Sequence, residues 1–300
     1  MPSPGGARIA VAKTYKLYLG GAFPRSESGR TYPVSDAKGA FMANAAQASR
    51  KDVRDAVSAA RKGFGGWSRA TPYNRGQVIY RIAEMVESRA GDFAALIQAG
   101  SGGSARTART EVEQAVDRLV HYAGWTDKLA AVFGGANPVS APYFSYSAPE
   151  PTGVVGVLAP TGSPLLGLVS CVAPVIAGGN ACVVVAAAAD PCVAITFAEA
   201  LATSDVPGGV INVLTGFAAE LAPHLAAHLD VNALDLTGAD PELRTVLERA
   251  AAKSIKRVYV PKGTPDFSAV PGTTRLRAFL ETKTVWHPVG AVSLADSGGY

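Results

Sequence analysis

Between Pro151 and Ala189 the chain carries no charged residue. A run this long and apolar belongs either in a membrane or at the buried centre of a parallel sheet. Its punctuation decides between the two. Pro160, Pro164 and Pro174, together with Gly162 and the Gly178–Gly179 pair, cut the run into pieces of strand and helix length, whereas a spanning helix is not interrupted so often. The pieces read as a strand over 153–159, a helix over 164–177 and a strand over 181–187. That is a βαβ unit whose strands are covered on both faces.

The same alternation continues on either side. Ser49 with Asp52 three residues on forms a capping box, and Val53, Val57, Ala60 and Phe64 recur at helical spacing until Gly65 and Gly66, where the helix is expected to stop. A second helix opens at Thr71 and Pro72, and a third runs from about Ser104 through Val112, Val116 and Leu119 towards Gly134. Short strands are expected over 16–19 and 30–34. Past the apolar centre, Asp190–Pro191 and Asp240–Pro241 start helices, and strands are expected over 210–214, 231–236 and 256–260. The whole reads as α/β, a doubly wound Rossmann-like parallel sheet with helices on both faces.

Composition narrows the function classes. A formal charge of +4 spread over 300 residues without basic runs argues against a nucleic-acid partner. The first residues, MPSPGGARIAVA, have no continuous apolar core of the secretory kind, which points to a cytoplasmic protein with no membrane partner. Cys171, Cys182 and Cys192 have neither CxxC nor metal spacing and read as buried thiols. His224 and His228 have the i, i+4 spacing of zinc ligands but no carboxylate between them, and His121 and Trp125 read as packing residues. No metal is expected.

From Lys16 onward a set of segments carries a family resemblance: LYLGGAF, AGGN at 177–180, PGGVINVLTG at 207–216, LTG at 236–238, IKRV at 255–258 and KTVW at 283–286. In order and spacing the chain resembles the aldehyde dehydrogenase superfamily, and it is most similar to truncated members, such as the non-catalytic half of the sixteenth aldehyde dehydrogenase family. The resemblance implies where chemistry should sit, and at those positions the chain departs. The family's Pro-Trp-Asn-Phe-Pro, with its oxyanion-holding amide, becomes Pro-Thr-Gly-Ser-Pro, so Gly162 stands where the asparagine belongs. Val185 and Ala188 replace a lysine and a glutamate that bind the adenosine ribose. In the phosphate turn Ala239 replaces a serine, Leu243 stands at a glycine, and Asp240 brings a carboxylate to the helix start. The general-base glutamate falls at Pro261, which exchanges no proton. No catalytic residue and no bound cofactor are therefore expected.

The resemblance also divides the chain: a tail over 1–12, a degenerate cofactor-type domain over 13–141 and 153–263, an oligomerisation ribbon over 142–152 and 275–290, and a linker over 264–274 where the family carries its catalytic domain. In the ribbon, Phe144, Tyr146, Phe279, Lys283, Val285 and Trp286 are the expected interface residues. Residues 279–287 are expected to alternate as a strand, which in the family pairs with the edge of a partner's catalytic domain. The function implied is that of a non-catalytic subunit assembling with a full-length active aldehyde dehydrogenase, or with itself, to stabilise, localise or regulate it. The alternative is a stand-alone oxidoreductase or a nucleotide or acyl-carrier binder using the crevice at the strand ends.

Overall fold

A computed structural model of the protein describes residues 11–289; the tail expected over 1–12 and Gly290 of the expected ribbon lie largely or wholly outside them. The elements, in chain order, are β1 (Thr14–Tyr15), β2 (Thr31–Ser35), β3 (Phe41–Ala46), α1 (Arg50–Arg69), α2 (Pro72–Glu87), α3 (Ala90–Ser101), α4 (Ala105–Ala123), α5 (Leu129–Phe133), β4 (Gly135–Asn137) and β5 (Tyr143–Pro151). Then follow β6 (Val154–Leu158), α6 (Leu166–Ala177), β7 (Ala181–Val185), α7 (Pro191–Leu201), β8 (Ile211–Leu214), α8 (Ala218–Ala227), β9 (Ala233–Asp235), α9 (Pro241–Ala252), β10 (Arg257–Tyr259), α10 (Thr274–Ala278) and β11 (Leu280–Pro288).

The charge-free run is the middle of the molecule. It builds β6, α6 and β7, and every residue of the three is buried. Around it a five-stranded parallel sheet forms in the order β10-β9-β6-β7-β8. The chain starts at the central strand, moves outward through β7 and β8, then returns to the other side for β9 and β10, so the direction of winding reverses between β6 and β9. Side chains leave alternate faces. Val155 and Val157 join a core with α2, α4, α6 and α7, while Val154 and Leu158 join a second core with α1, α8 and α9. Gly156 is small because α8 packs on it: a Cβ there would stand 2.8 Å from a methyl of Leu225.

Several elements differ from expectation. The first helix does not stop at Gly65 and Gly66 but runs on to Arg69. Two glycines cost a helix about 1 kcal/mol each, and Trp67 outweighs them: it is buried and its indole donates to the carbonyl of Ile176 at 2.9 Å. The third expected helix is two, α4 and the short α5, broken at Gly124. The unanticipated α3 buries only Phe93 and Ile97, too sparse a stripe to show a period. Residues 16–19 form isolated bridges rather than a strand; Tyr18 exchanges both backbone hydrogen bonds with Val213, at 3.0 and 2.7 Å, and so covers the edge of β8. His228 lies just past the end of α8, out of line with His224.

One buried side chain ties the sheet to the C-terminal segment. Asn180, at the α6–β7 turn, is wholly buried; its Oδ1 accepts from Gly153 N at 2.8 Å, and its Nδ2 donates to the carbonyls of Val175 at 3.1 Å and Phe279 at 2.9 Å. Removing the side chain leaves Gly153 N without a partner and the carbonyls of Val175 and Phe279 with one backbone donor each, from Asn180 N and Thr152 N; a buried group left unpaired costs about 1–3 kcal/mol. Asn180→Ala is therefore expected to lower unfolding free energy by about 1–3 kcal/mol, read from urea denaturation followed by tryptophan fluorescence.

Candidate functional site

At the carboxyl ends of β6, β9 and β10 the loops part to leave a crevice of about 1040 Å³, the place where open α/β sheets bind ligands. Three loops frame it: Pro160–Thr161–Gly162–Ser163 after β6, Thr237–Gly238–Ala239–Asp240 after β9, and the turn at Pro261 and Gly263 after β10. The first two touch through their backbones, since a Cβ on Gly238 would lie 2.1 Å from the carbonyl oxygen of Ala159. Gly162 turns in the left-handed region, at φ 82°, with no atom within 4 Å of where a side chain would start.

Of the positions marked by the sequence, Gly162, Ala239 and Pro261 line this crevice. Val185 and Ala188 do not. Val185 is buried in the core beneath α1 and α8, and Ala188 sits in the turn after β7. Leu243 packs its side chain against the same core.

The two helix starts beside the crevice are both already occupied by carboxylates of the chain itself. Asp240 caps α9, its Oδ1 accepting from Leu243 N at 2.8 Å. At the start of α6, Glu111 reaches over from α4: its Oε1 accepts from Leu165 N at 3.0 Å, Leu166 N at 3.2 Å and Ser163 Oγ at 3.4 Å. Free amides at a helix N-terminus are what receive a phosphate; here the amides of Leu165, Leu166 and Leu243 are engaged internally, and a carboxylate stands at each helix start. Asp240 was legible from its capping position. Glu111 was not, because it lies some fifty residues upstream on another helix and no local pattern links the two.

Beneath the crevice is a buried ion pair. Asp235 ends β9 with no exposed surface, and Arg275, on α10, pairs with its Oδ2. Asp235 Oδ1 accepts from Thr237 N at 3.1 Å and Thr237 Oγ1 at 2.5 Å, and Arg275 Nη1 also donates to Thr237 Oγ1 at 2.9 Å and to Cys171 Sγ at 3.3 Å. The guanidinium lies 4.5 Å from the centre of the Tyr259 ring. Burial opposes its charge, but Cys171, Asp235 and Tyr259 outweigh that and hold Arg275 above its ordinary value. The segment expected as a linker, 264–274, is fixed from the other side: Arg118 on α4 donates to the carbonyls of Phe267 at 2.6 Å and Ala269 at 2.9 Å, and to Ser170 Oγ at 3.0 Å. It is a strap lying on the domain.

The strap delivers the chain into β11, which pairs with β5 in antiparallel register from Leu280 opposite Pro151 to Pro288 opposite Tyr143; β4 closes the far side, giving the order β11-β5-β4. Glu281, Lys283, Val285 and His287 share one face with Phe144 and Tyr146 opposite; Trp286 lies on the other face, edge-on to Tyr143. Lys283 pairs with Glu150 at 3.0 Å. Trp286 is 56 % and Phe144 49 % exposed, and the outer edge of β11 has no partner strand among the described residues. Phe279 is a correction: it precedes the strand, is 0 % exposed, and packs in the main core with its ring edge-on to Tyr259. It roots the ribbon and is closed to any partner.

With this geometry in hand the comparisons are decisive. Residues 23–282 match the Aldehyde dehydrogenase family. The chain belongs to that family. It is 32 % identical over 249 residues to an aldehyde dehydrogenase of Davidiella tassiana, covering 82 % of this chain and 50 % of that one. It is also 32 % identical over 252 residues to a mitochondrial benzaldehyde dehydrogenase of Antirrhinum majus, covering 83 % and 47 %. Among solved structures, HpcC from Thermus thermophilus superposes with a TM-score of 0.78 at 32 % identity, over 82 % of this chain and 47 % of that one. This chain thus spans about half the length of the aldehyde dehydrogenases it matches.

All three thiols are buried, and burial pushes Cys171 and Cys182 up to about 12 and Cys192 to about 11. A thiol raised in the folded state above its ordinary value of 9.0 stabilises the fold fully below that pH and loses the contribution as pH climbs towards the folded value. Stability is therefore expected to fall between about pH 9 and pH 12, and the native thiols to react with Ellman's reagent at pH 8 only at the rate of unfolding. Separately, Asp235→Ala strands a buried guanidinium and should cost about 3–5 kcal/mol, whereas Asp235→Leu with Arg275→Met should recover much of that loss in urea titrations.

Proposed function

We propose that this chain is a non-catalytic aldehyde dehydrogenase subunit that assembles with a full-length aldehyde dehydrogenase and stabilises, localises or regulates it. The observation that carries the reading is the pair of occupied helix starts: Asp240 on α9 and Glu111 on α6 fill and negatively charge the two places at the crevice where a dinucleotide's diphosphate would be received. Gly162 and Pro261 stand at the crevice wall at the two positions where the family resemblance places an oxyanion-holding amide and a deacylation base, and neither residue has a side chain that can donate or take a proton. The reading assigns no cofactor to the protein.

What the chain does offer is a rooted strand with a free edge. Strand addition joins two proteins through main-chain hydrogen bonds, with side chains on alternate faces giving selectivity. In the proposed complex β11 lies along a sheet edge of the full-length partner, with Val285, Lys283, Phe144 and Tyr146 on one face of the contact and Trp286 on the other. A self-associated form would leave the receiving edge unfilled, so the hetero-oligomer is the favoured assembly.

The test is native mass spectrometry of the tagged chain isolated from its source cells, expected to reveal a complex with a full-length aldehyde dehydrogenase. Val285→Asp with Trp286→Asp should abolish that complex while far-UV circular dichroism stays unchanged. A thermal stabilisation by NAD or NADP that saturates would instead move the reading to a nucleotide-binding protein.

A further inference from the structure

A second, smaller cavity of about 200 Å³ lies between α4, α6 and the strap, separate from the assembly ribbon and on the far side of Phe267 from the main crevice. Two arginines face it. Arg118 is 8 % and Arg275 9 % exposed, and they come from opposite ends of the chain, one on α4 and one on α10. Tyr122, Tyr259 and Ser170 complete the wall, and Asp266 stands at the rim.

Two carboxylates stand with the two guanidiniums: Asp235 pairs with Arg275, and Asp266 at the rim acts on Arg118 through space. Arg275 has Asp235 as its counter-ion. Arg118 has no carboxylate within ion-pair distance among the described residues; its acceptors are two backbone carbonyls and a serine hydroxyl. Cys171 beside Arg275 is a neutral thiol, held so by burial. The two guanidiniums are near enough to oppose one another, and burial together with Arg275 lowers Arg118. Further donors remain available. The protein bonds of Arg275 all leave through Nη1, so Nε and Nη2 have no protein acceptor among the described residues, and neither atom is sealed from solvent. The hydroxyl of Tyr122 lies within the influence of both guanidiniums and has no protein partner among the described residues.

We propose that this cavity is a binding site for a small carboxylate anion, held by Nε and Nη2 of Arg275 and by the hydroxyls of Tyr122 and Tyr259, with the charge of Arg118 beside it. A planar guanidinium matches a carboxylate in shape and donor spacing. A single negative charge suits the open Nε and Nη2 donors of Arg275, and the Asp266 carboxylate at the rim disfavours a dianion. The volume admits an acid of two to four carbons. Since the strap supplies Phe267, Ala269 and Arg275 to the wall, an occupant would also fasten the strap that leads into β11.

Isothermal calorimetry and thermal melting of the full chain, with sodium acetate and propionate against sodium chloride at matched ionic strength, test the site. Saturable binding of either carboxylate with a rise in Tm is the expected result. Tyr122→Phe with Tyr259→Phe keeps both rings and both arginines, so the fold should persist by circular dichroism, while affinity falls by about fivefold or more. Arg244→Ala, which alters only the larger crevice, should bind as the unaltered chain does. The proposal is overturned by the lack of a saturable signal up to roughly 10 mM carboxylate, by undiminished binding in the double tyrosine variant, or by inorganic phosphate binding more tightly than both acids.

Discussion

The pairing of Asp235 with Arg275 is the constraint on which the second half of the molecule depends. Asp235 closes the strand β9 at the point where the sheet changes its winding direction, and it has no surface exposed to water. A lone carboxylate cannot remain charged there without a partner. The partner comes from α10, beyond the strap, so the chain must cross the domain surface and return before β9 is stable. Arg118 and Asn180 act in the same sense from the other face: each bonds backbone carbonyls of the returning segment, at Phe267, Ala269 and Phe279. Three polar side chains from the folded domain thus hold the returning segment: Arg118 bonds residues 264–274, which on sequence alone read as a linker, and Asp235 and Asn180 hold Arg275 and Phe279 just beyond it.

Much of the architecture was legible because the chain writes it locally. The charge-free run, punctuated by Pro160, Pro164 and the Gly178–Gly179 pair, gave β6, α6 and β7 to within two residues at each boundary, and the caps at Ser49, Thr71, Ser104 and Asp240 marked four helix starts with side-chain bonds in place. Where local and tertiary preferences competed, the sequence misled. Gly65 and Gly66 say stop, yet the burial of Trp67 under Ile176 carries α1 onward. Phe279 alternates with the ribbon in sequence, yet it falls in α10's end and turns into the core. The crevice was legible in what it lacks, since Gly162, Ala239 and Pro261 are readable one by one. Glu111 was invisible because its role is set by how α4 crosses the start of α6, a packing relation without local signature.

The crevice and the strap make one physical picture. A helix N-terminus with free amides attracts anions from solution, and the same terminus bonded to an internal carboxylate does not. At α6 and α9 the carboxylates of Glu111 and Asp240 satisfy amides at the two helix ends that flank the switch point, which contributes to the stability of the fold. The family match runs over residues 23–282, and Gly162, Ala239 and Pro261 lie at the strand ends, where function in this class of fold is placed.

The ribbon is held at its base, and that has a bearing on how fast and how tightly it could join another sheet. A loose peptide that becomes a strand gives up roughly 1–2 kcal/mol of backbone entropy for each residue it orders. In β11 those dihedrals are already set along the nine residues matched to β5, and Phe279, sunk in the core beside Asn180, fixes the direction in which the strand leaves the domain. Ordering has happened during folding, before any encounter. Contact with such an edge resembles docking of two rigid surfaces more than folding upon binding, so differences among partners would appear in how long a complex lasts rather than in how quickly it forms.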